Sequence, residues 1–202
     1  MEAGALADIP KWLQDQIAAS GDGVVVNRCF SFTTPSDFLA KVFWERDRAI
    51  ACIPGAQLDR IFHAMNFAVS AWHMHDWLWS FATDEVKQEW SKWFNSPIES
   101  ARKFGEVLAD TWPVLGACKE VANEVKHGQL HRPNPNISAI GERALHPGGE
   151  DWIPVIRIGD RRITDTEFYE EVLGVWATFL AHSGMLPGHL NEDVLMAASS
   201  AK

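Results

Sequence analysis

A chain of 202 residues fits one domain and carries enough apolar surface to build a core with no disulfide or metal to hold it together. Its composition, 47% hydrophobic and 22% charged, excludes a disordered chain, and a net charge of -9 works against indiscriminate binding to a polyanion. Cys29, Cys52 and Cys118 lie far apart with no C-x-x-C pair, so neither a disulfide framework nor a zinc ribbon is indicated and a reducing, cytoplasmic setting is expected.

In chain order, Met1 to Trp12 carries Glu2 and Asp8 where a signal peptide would carry basic residues and then an apolar run, so no export signal is read there. Thr34-Pro35-Ser36-Asp37 places an N-cap, a proline at the first helical position and an acid in the first turn, which predicts a helix to about Ile50. Pro54 and Gly55 break the chain before a long helix from about Ala56 to Phe81. Its stretch from Ile61 onward has the length of a membrane span, but His63, Asn66, Ser70, His73, His75 and Asp76 would not be tolerated against lipid, so no membrane partner is expected. Thr83-Asp84-Glu85 opens a short helix bearing Trp90 and Trp93.

Ser96-Pro97-Ile98-Glu99 has the form of a capping box with proline at N1, predicting a helix to about Asp110. Pro113 restarts the chain, and the next helix carries Cys118 to His127 and stops at Gly128. Residues 129 to 149 are rich in proline and glycine, with Ile137 to Ile140 as the one strand-like run. Trp152 to Ile158, a Gly159-Asp160 turn and Arg161 to Thr164 read as a β-hairpin. Thr164-Asp165-Thr166-Glu167 is a second capping box, opening a last helix that ends near His182, and a loose tail is expected over residues 187–202. The expected fold is mainly α, a single bundle of about five main helices over residues 1–202, with a small sheet inserted at about 135–164 before the last helix.

Two groups of residues carry candidate chemistry. On the long helix, a step of about 100° per residue puts Asp59, His63, Asn66, Ser70, His73 and Trp77 in one sector of an otherwise apolar circumference. Polar groups inside a domain must be paired, so His63, Asn66, Ser70 and His73 either meet partners on another helix or line a wet ligand pocket. No metal is expected: His63 and His73 are about 15 Å apart along the axis, and His73 with Asp76 lacks a third ligand at helical spacing. On the helix ending at Gly128, Glu120, Asn123 and His127 share a face at i, i+3 and i+7, with Lys126 beside them. An imidazole there can serve as general acid or base while the amide and ammonium hold a phosphate, whereas Lys and His before a glycine also make an ordinary helix stop.

The run Ala122-Asn123-Glu124-Val125-Lys126-His127 resembles the R-N-x-x-x-H signature of the HEPN domain family, with Ala122 in place of the arginine. The resemblance implies a helical bundle, often dimeric, and metal-independent ribonuclease chemistry of toxin and antiviral systems without a cofactor. It assigns His127 to assisting attack of the RNA 2′-hydroxyl on the adjacent phosphate, with Asn123 at the family's polar position. Without the arginine, the bidentate cation that would steady the transition state is missing, and Lys126 or Lys119 offers only a single-point substitute. A weak or inactive member is therefore as much implied as an active nuclease.

Charge is uneven: residues 119 to 162 hold seven lysines and arginines against six acids, so a basic face of Lys126, Arg132, Arg143, Arg157, Arg161 and Arg162 beside the helix end is permitted. Ten tryptophans suit core packing first, and Trp79 or Trp93 would also suit a dimer seam. No G-x-x-x-x-G-K, G-x-G-x-x-G, G-x-S-x-G or H-E-x-x-H pattern occurs. Two classes of function remain: an RNA-associated HEPN-like protein acting as a homodimer, and a non-catalytic module that binds a protein partner.

Overall fold

The computed structural model describes residues 32–52, 57–127, 137–146 and 149–185. The readings made on Met1 to Trp12, on Cys29, on the stop at Gly128 and on the tail from 187 lie outside those residues. Within them the protein is mainly helical, in the order α1 (Pro35–Ile50), α2 (Gln57–Phe81), α3 (Asp84–Trp93), α4 (Ala101–Thr111), α5 (Pro113–His127), β1 (Ile137–His146), β2 (Gly149–Ile158), β3 (Arg161–Thr164) and α6 (Asp165–His182). The sheet stands between α5 and the last helix, as the sequence predicts.

Local signals set most of the boundaries. Thr34 accepts a hydrogen bond from the Asp37 N–H and the Asp37 carboxylate accepts one from the Thr34 N–H, which closes the first capping box. Thr164 and Glu167 repeat it at the start of α6. At the far end of α6, Gly184 has φ +64°, and the Met185 N–H reaches back to the Leu180 carbonyl at 3.0 Å, a left-handed stop that glycine adopts without steric cost.

One predicted start is displaced. The helix after α3 begins at Ala101 with Ser100 as its N-cap, and Ser96 caps nothing. The chain reverses at Asn95, whose φ is 47°, and Ile98 is buried, with its N–H donated to the Ser91 hydroxyl at 3.1 Å. Burying Ile98 outweighs a cap that local sequence alone favours.

The sheet exceeds expectation in the same way. β1 runs on from Ile140 through Gly141 to His146 because it pairs with β2 over its whole length, Ile137 with Ile158 and His146 with Gly149. Cross-strand pairing carries it past a residue of low strand preference. β2 pairs antiparallel with β3, Val155 with Thr164 and Ile158 with Arg161, giving the order β1-β2-β3.

The core forms around α2, whose Phe67, Ala68, Ala71, Met74 and Leu78 are buried, and around α6, which buries Phe168, Tyr169, Val172, Leu173, Trp176, Phe179 and Leu180. Phe179 lies at the centre of an aromatic cluster, 5.2 Å from Trp90, 5.4 Å from Trp93 and 5.6 Å from Phe104. Trp90 and Trp176 are core residues, Trp79 is half-buried and Trp93 is exposed. At the other end, Asp165 is 1% exposed and receives both the Nε and an Nη of Arg60 at 2.8 and 2.9 Å, which ties the first turns of α2 and α6 together. The Tyr169 hydroxyl reaches the same carboxylate, and burial followed by that negative charge pushes the phenol well above its ordinary range. Among the described residues, no helix is long and apolar enough to cross a membrane.

Candidate functional site

The polar sector of α2 divides in two. His63 and Ser70 face α1, where Lys41 and Glu45 are one turn apart. The Lys41 ammonium donates to the Ser70 hydroxyl and to Glu45 at 3.1 Å, and the Glu45 carboxylate, 6% exposed, receives His63 Nδ1 at 3.4 Å. Asn66 points outward and is exposed. His73, about 80° round the helix from His63 at 100° per residue, is exposed as well and turns to Asp76 at 3.1 Å. In the first half of the sector His63 and Ser70 therefore form a satisfied helix-to-helix seam while Asp59 and Asn66 stay exposed, and the second half opens to solvent.

That open half holds the densest group of ionisable side chains on the helix. Asp76 meets His73 Nδ1 through one oxygen and His75 Nε2, at 3.3 Å, through the other. His75 is buried, and its Nδ1 is 2.6 Å from the Trp72 carbonyl. The ring packs on α4 at Gly105, where an added Cβ would lie 2.9 Å from Cδ2 and Nε2. Desolvation holds the His75 imidazole below its ordinary range, with the Trp72 carbonyl and Asp76 acting in the opposite sense and His73 and Lys119 reinforcing the depression. Among the described residues no group of three or more His, Cys, Asp or Glu side chains converges as metal ligands would.

α5 meets this group through Lys119, whose ammonium is 5.9 Å from the centre of the Trp72 ring. Glu120 and Asn123 are half-buried and Lys126 is exposed. Asn123 follows Lys119 by one turn and His127 by two, so the face read from the sequence continues the one that reaches α2. The side chain of His127 lies outside the described residues, as do Arg132 and the side chain of Arg143. Of the remaining basic residues, Arg157 is exposed and Arg161 is engaged by Glu171. Cys118, on the opposite side of α5, is fully buried, and burial drives its thiol far above the usual range, so it is inert as a nucleophile.

An open groove of about 730 Å³ runs along α6, walled by Phe43, Trp93, Trp112, Leu173 and Phe179, with the Arg46–Glu170 and Arg161–Glu171 pairs at its edge. Of the residues singled out by sequence, Trp93 and Arg161 line it, whereas the candidate site residues of α2 and α5 do not. What sequence reading passed over is the α1 side of the closed seam, although Lys41 and Glu45 at i and i+4 on a largely apolar helix face carried the signal. Gly105 carried none, since its importance comes from the ring packed on it. Comparisons with protein-family models, with curated proteins and with solved structures return no match.

Proposed function

We propose that this chain is an RNA-associated, HEPN-like protein of a bacterial defence or toxin system, weak or inactive as a metal-independent ribonuclease, whose RNA-contacting face is the last turns of α5. The observation that supports this reading is the Lys119–Trp72 contact, which brings Lys119, on the same face of α5 as Asn123 and Lys126, beside the turn of α2 that carries His73, His75 and Asp76. Lysines, an amide, imidazoles and a half-buried indole are groups that hold a phosphodiester and stack a base. If cleavage occurs, His127 takes the proton of the 2′-hydroxyl as its oxygen bonds to phosphorus, the bond to the 5′-oxygen breaks and that oxygen takes a proton from water, leaving a 2′,3′-cyclic phosphate and a 5′-hydroxyl. With Ala122 at the arginine position, the developing charge on the phosphoryl oxygens meets only single-point cations, which is why the rate is expected to be low.

Fluorescence anisotropy with a labelled single-stranded RNA tests the reading. The expected result is binding at low salt that weakens as salt rises, reduced by Lys126→Ala with His127→Ala, together with loss in the double variant of any cyclic-phosphate product. Absence of binding at low salt overturns it.

A second reading, a non-catalytic module that pairs with itself or another protein, is favoured by one feature. Leu58, Ile61 and Phe62 at the start of α2 are 67%, 42% and 56% exposed, next to Trp44 of α1 at 45%. A dimeric mass by light scattering in a preparation that ignores RNA is the outcome that belongs to this reading.

A further inference from the structure

The carboxylate of Asp76 stands between two imidazoles, 3.1 Å from Nδ1 of exposed His73 and 3.3 Å from Nε2 of buried His75. The second nitrogen of His75, Nδ1, is 2.6 Å from the Trp72 carbonyl oxygen. A carbonyl only accepts, so Nδ1 keeps its proton whether the ring is charged or not. In the neutral ring the lone pair then falls on Nε2, with a carboxylate oxygen 3.3 Å away, so two acceptors stand close together. In the charged ring the Nδ1–H keeps its carbonyl and the positive charge stands beside the Asp76 carboxylate. Electrostatic pairing thus asks for a proton that burial resists, and the neighbouring oxygen must answer to whichever state prevails.

We infer that His73, Asp76 and His75 form an electrostatic relay in which the charge on buried His75 decides whether Asp76 is shared by both rings or turned to His73 alone. When His75 is neutral it no longer attracts the Asp76 carboxylate, which is then free to orient the exposed ring. When His75 takes a proton, Asp76 is drawn inward and His73 loses part of its partner. The charged groups facing His75 are Asp76 and His73 on its own helix and Lys119 from α5. α4 offers the backbone at Gly105, and the nearby Glu106 is occupied by Arg102 and Lys103. The ring fills the space that a side chain at Gly105 would take, which packs it against α4. The relay belongs to α2 and does not depend on RNA.

Long-range ¹⁵N–¹H spectra of the full chain, titrated from about pH 8 to about pH 4, test it on all imidazoles at once. Neutral His75 is expected as the Nδ1–H tautomer, titrating below the ordinary histidine midpoint, and the ring nitrogens of His73 are expected to show a second inflection at the pH where His75 titrates. Asp76→Asn should abolish that second inflection and lower the His75 midpoint further, because the carboxylate favouring the charged ring has gone. His73→Gln, an exposed change that leaves the core alone, should raise the His75 midpoint by removing a neighbouring positive charge. A single inflection for His73 in the wild type, an Nε2–H tautomer for neutral His75, or a His75 midpoint unmoved by both variants overturns the relay.

Discussion

The two halves of α2 carry the same kinds of residue and use them differently. In the first half Arg60, His63 and Ser70 are each met by a group from another helix: Asp165 of α6, Glu45 and Lys41 of α1. In the second half His73, His75 and Asp76 are met mainly by one another and by the carbonyl of Trp72, with Lys119 of α5 alongside. A polar stripe therefore has no fixed meaning in itself. It becomes structure where a neighbouring helix supplies complementary groups and becomes a candidate site where the neighbour supplies only backbone or solvent.

The contrast breaks most visibly at Asp165. Removing a fully buried carboxylate takes from Arg60 its bidentate partner and from Tyr169 its acceptor, and breaking one partner of a buried pair is strongly destabilising. Asp165→Ala is expected to lower the unfolding free energy by about 3 kcal/mol, read from the urea midpoint at an unchanged slope. A loss below about 1 kcal/mol would place this end of α2 with exposed ion pairs and dissolve the difference between the halves.

The open half is sharpened at Gly105. Alanine is a better helix former than glycine by about 1 kcal/mol, yet a Cβ here would enter the His75 ring, which is held on one side by Trp72 and on the other by Asp76. The steric term wins: Gly105→Ala is expected to cost about 1 to 2 kcal/mol net in urea unfolding and to shift the His75 ring resonances. A net gain would mean that the ring yields freely and that α4 does not fix its position.

Both outcomes bear on what the sequence makes legible. The capping boxes at Thr34 and Thr164 involve groups a few residues apart, and the boundaries they set can be read without knowing the fold. The start of α4 cannot, because Ser96 looks like a cap until Ile98 is seen to fall into the core. The same division runs through the candidate site. The spacing of Glu120, Asn123 and His127 on one helix is visible, as is the pairing of His73 with Asp76 at i and i+3. That His63 and Ser70 belong to a closed seam is not, since the deciding partners are more than ten residues away on α1 and only tertiary packing brings them in. A helical wheel reports direction to within about 100° per residue and says nothing of what stands opposite.

The smallest test separates two residues that the wheel treats alike. Ser70 is buried and its hydroxyl accepts from the Lys41 ammonium, a charge-assisted bond in the closed seam. Losing the acceptor leaves Lys41 with Glu45 as its remaining partner in that seam, so Ser70→Ala is expected to cost about 1 kcal/mol. His73 is exposed and its contact with Asp76 is open to water and screened by salt. His73→Ala is therefore expected to change the unfolding free energy by less than about 0.5 kcal/mol. Measured side by side, the two variants ask whether enclosure by α1, and not the chemistry of the stripe, decides the energy. If His73→Ala costs as much as Ser70→Ala, the exposed ring is holding the fold together, and its freedom to answer the proton on His75 is lost with it.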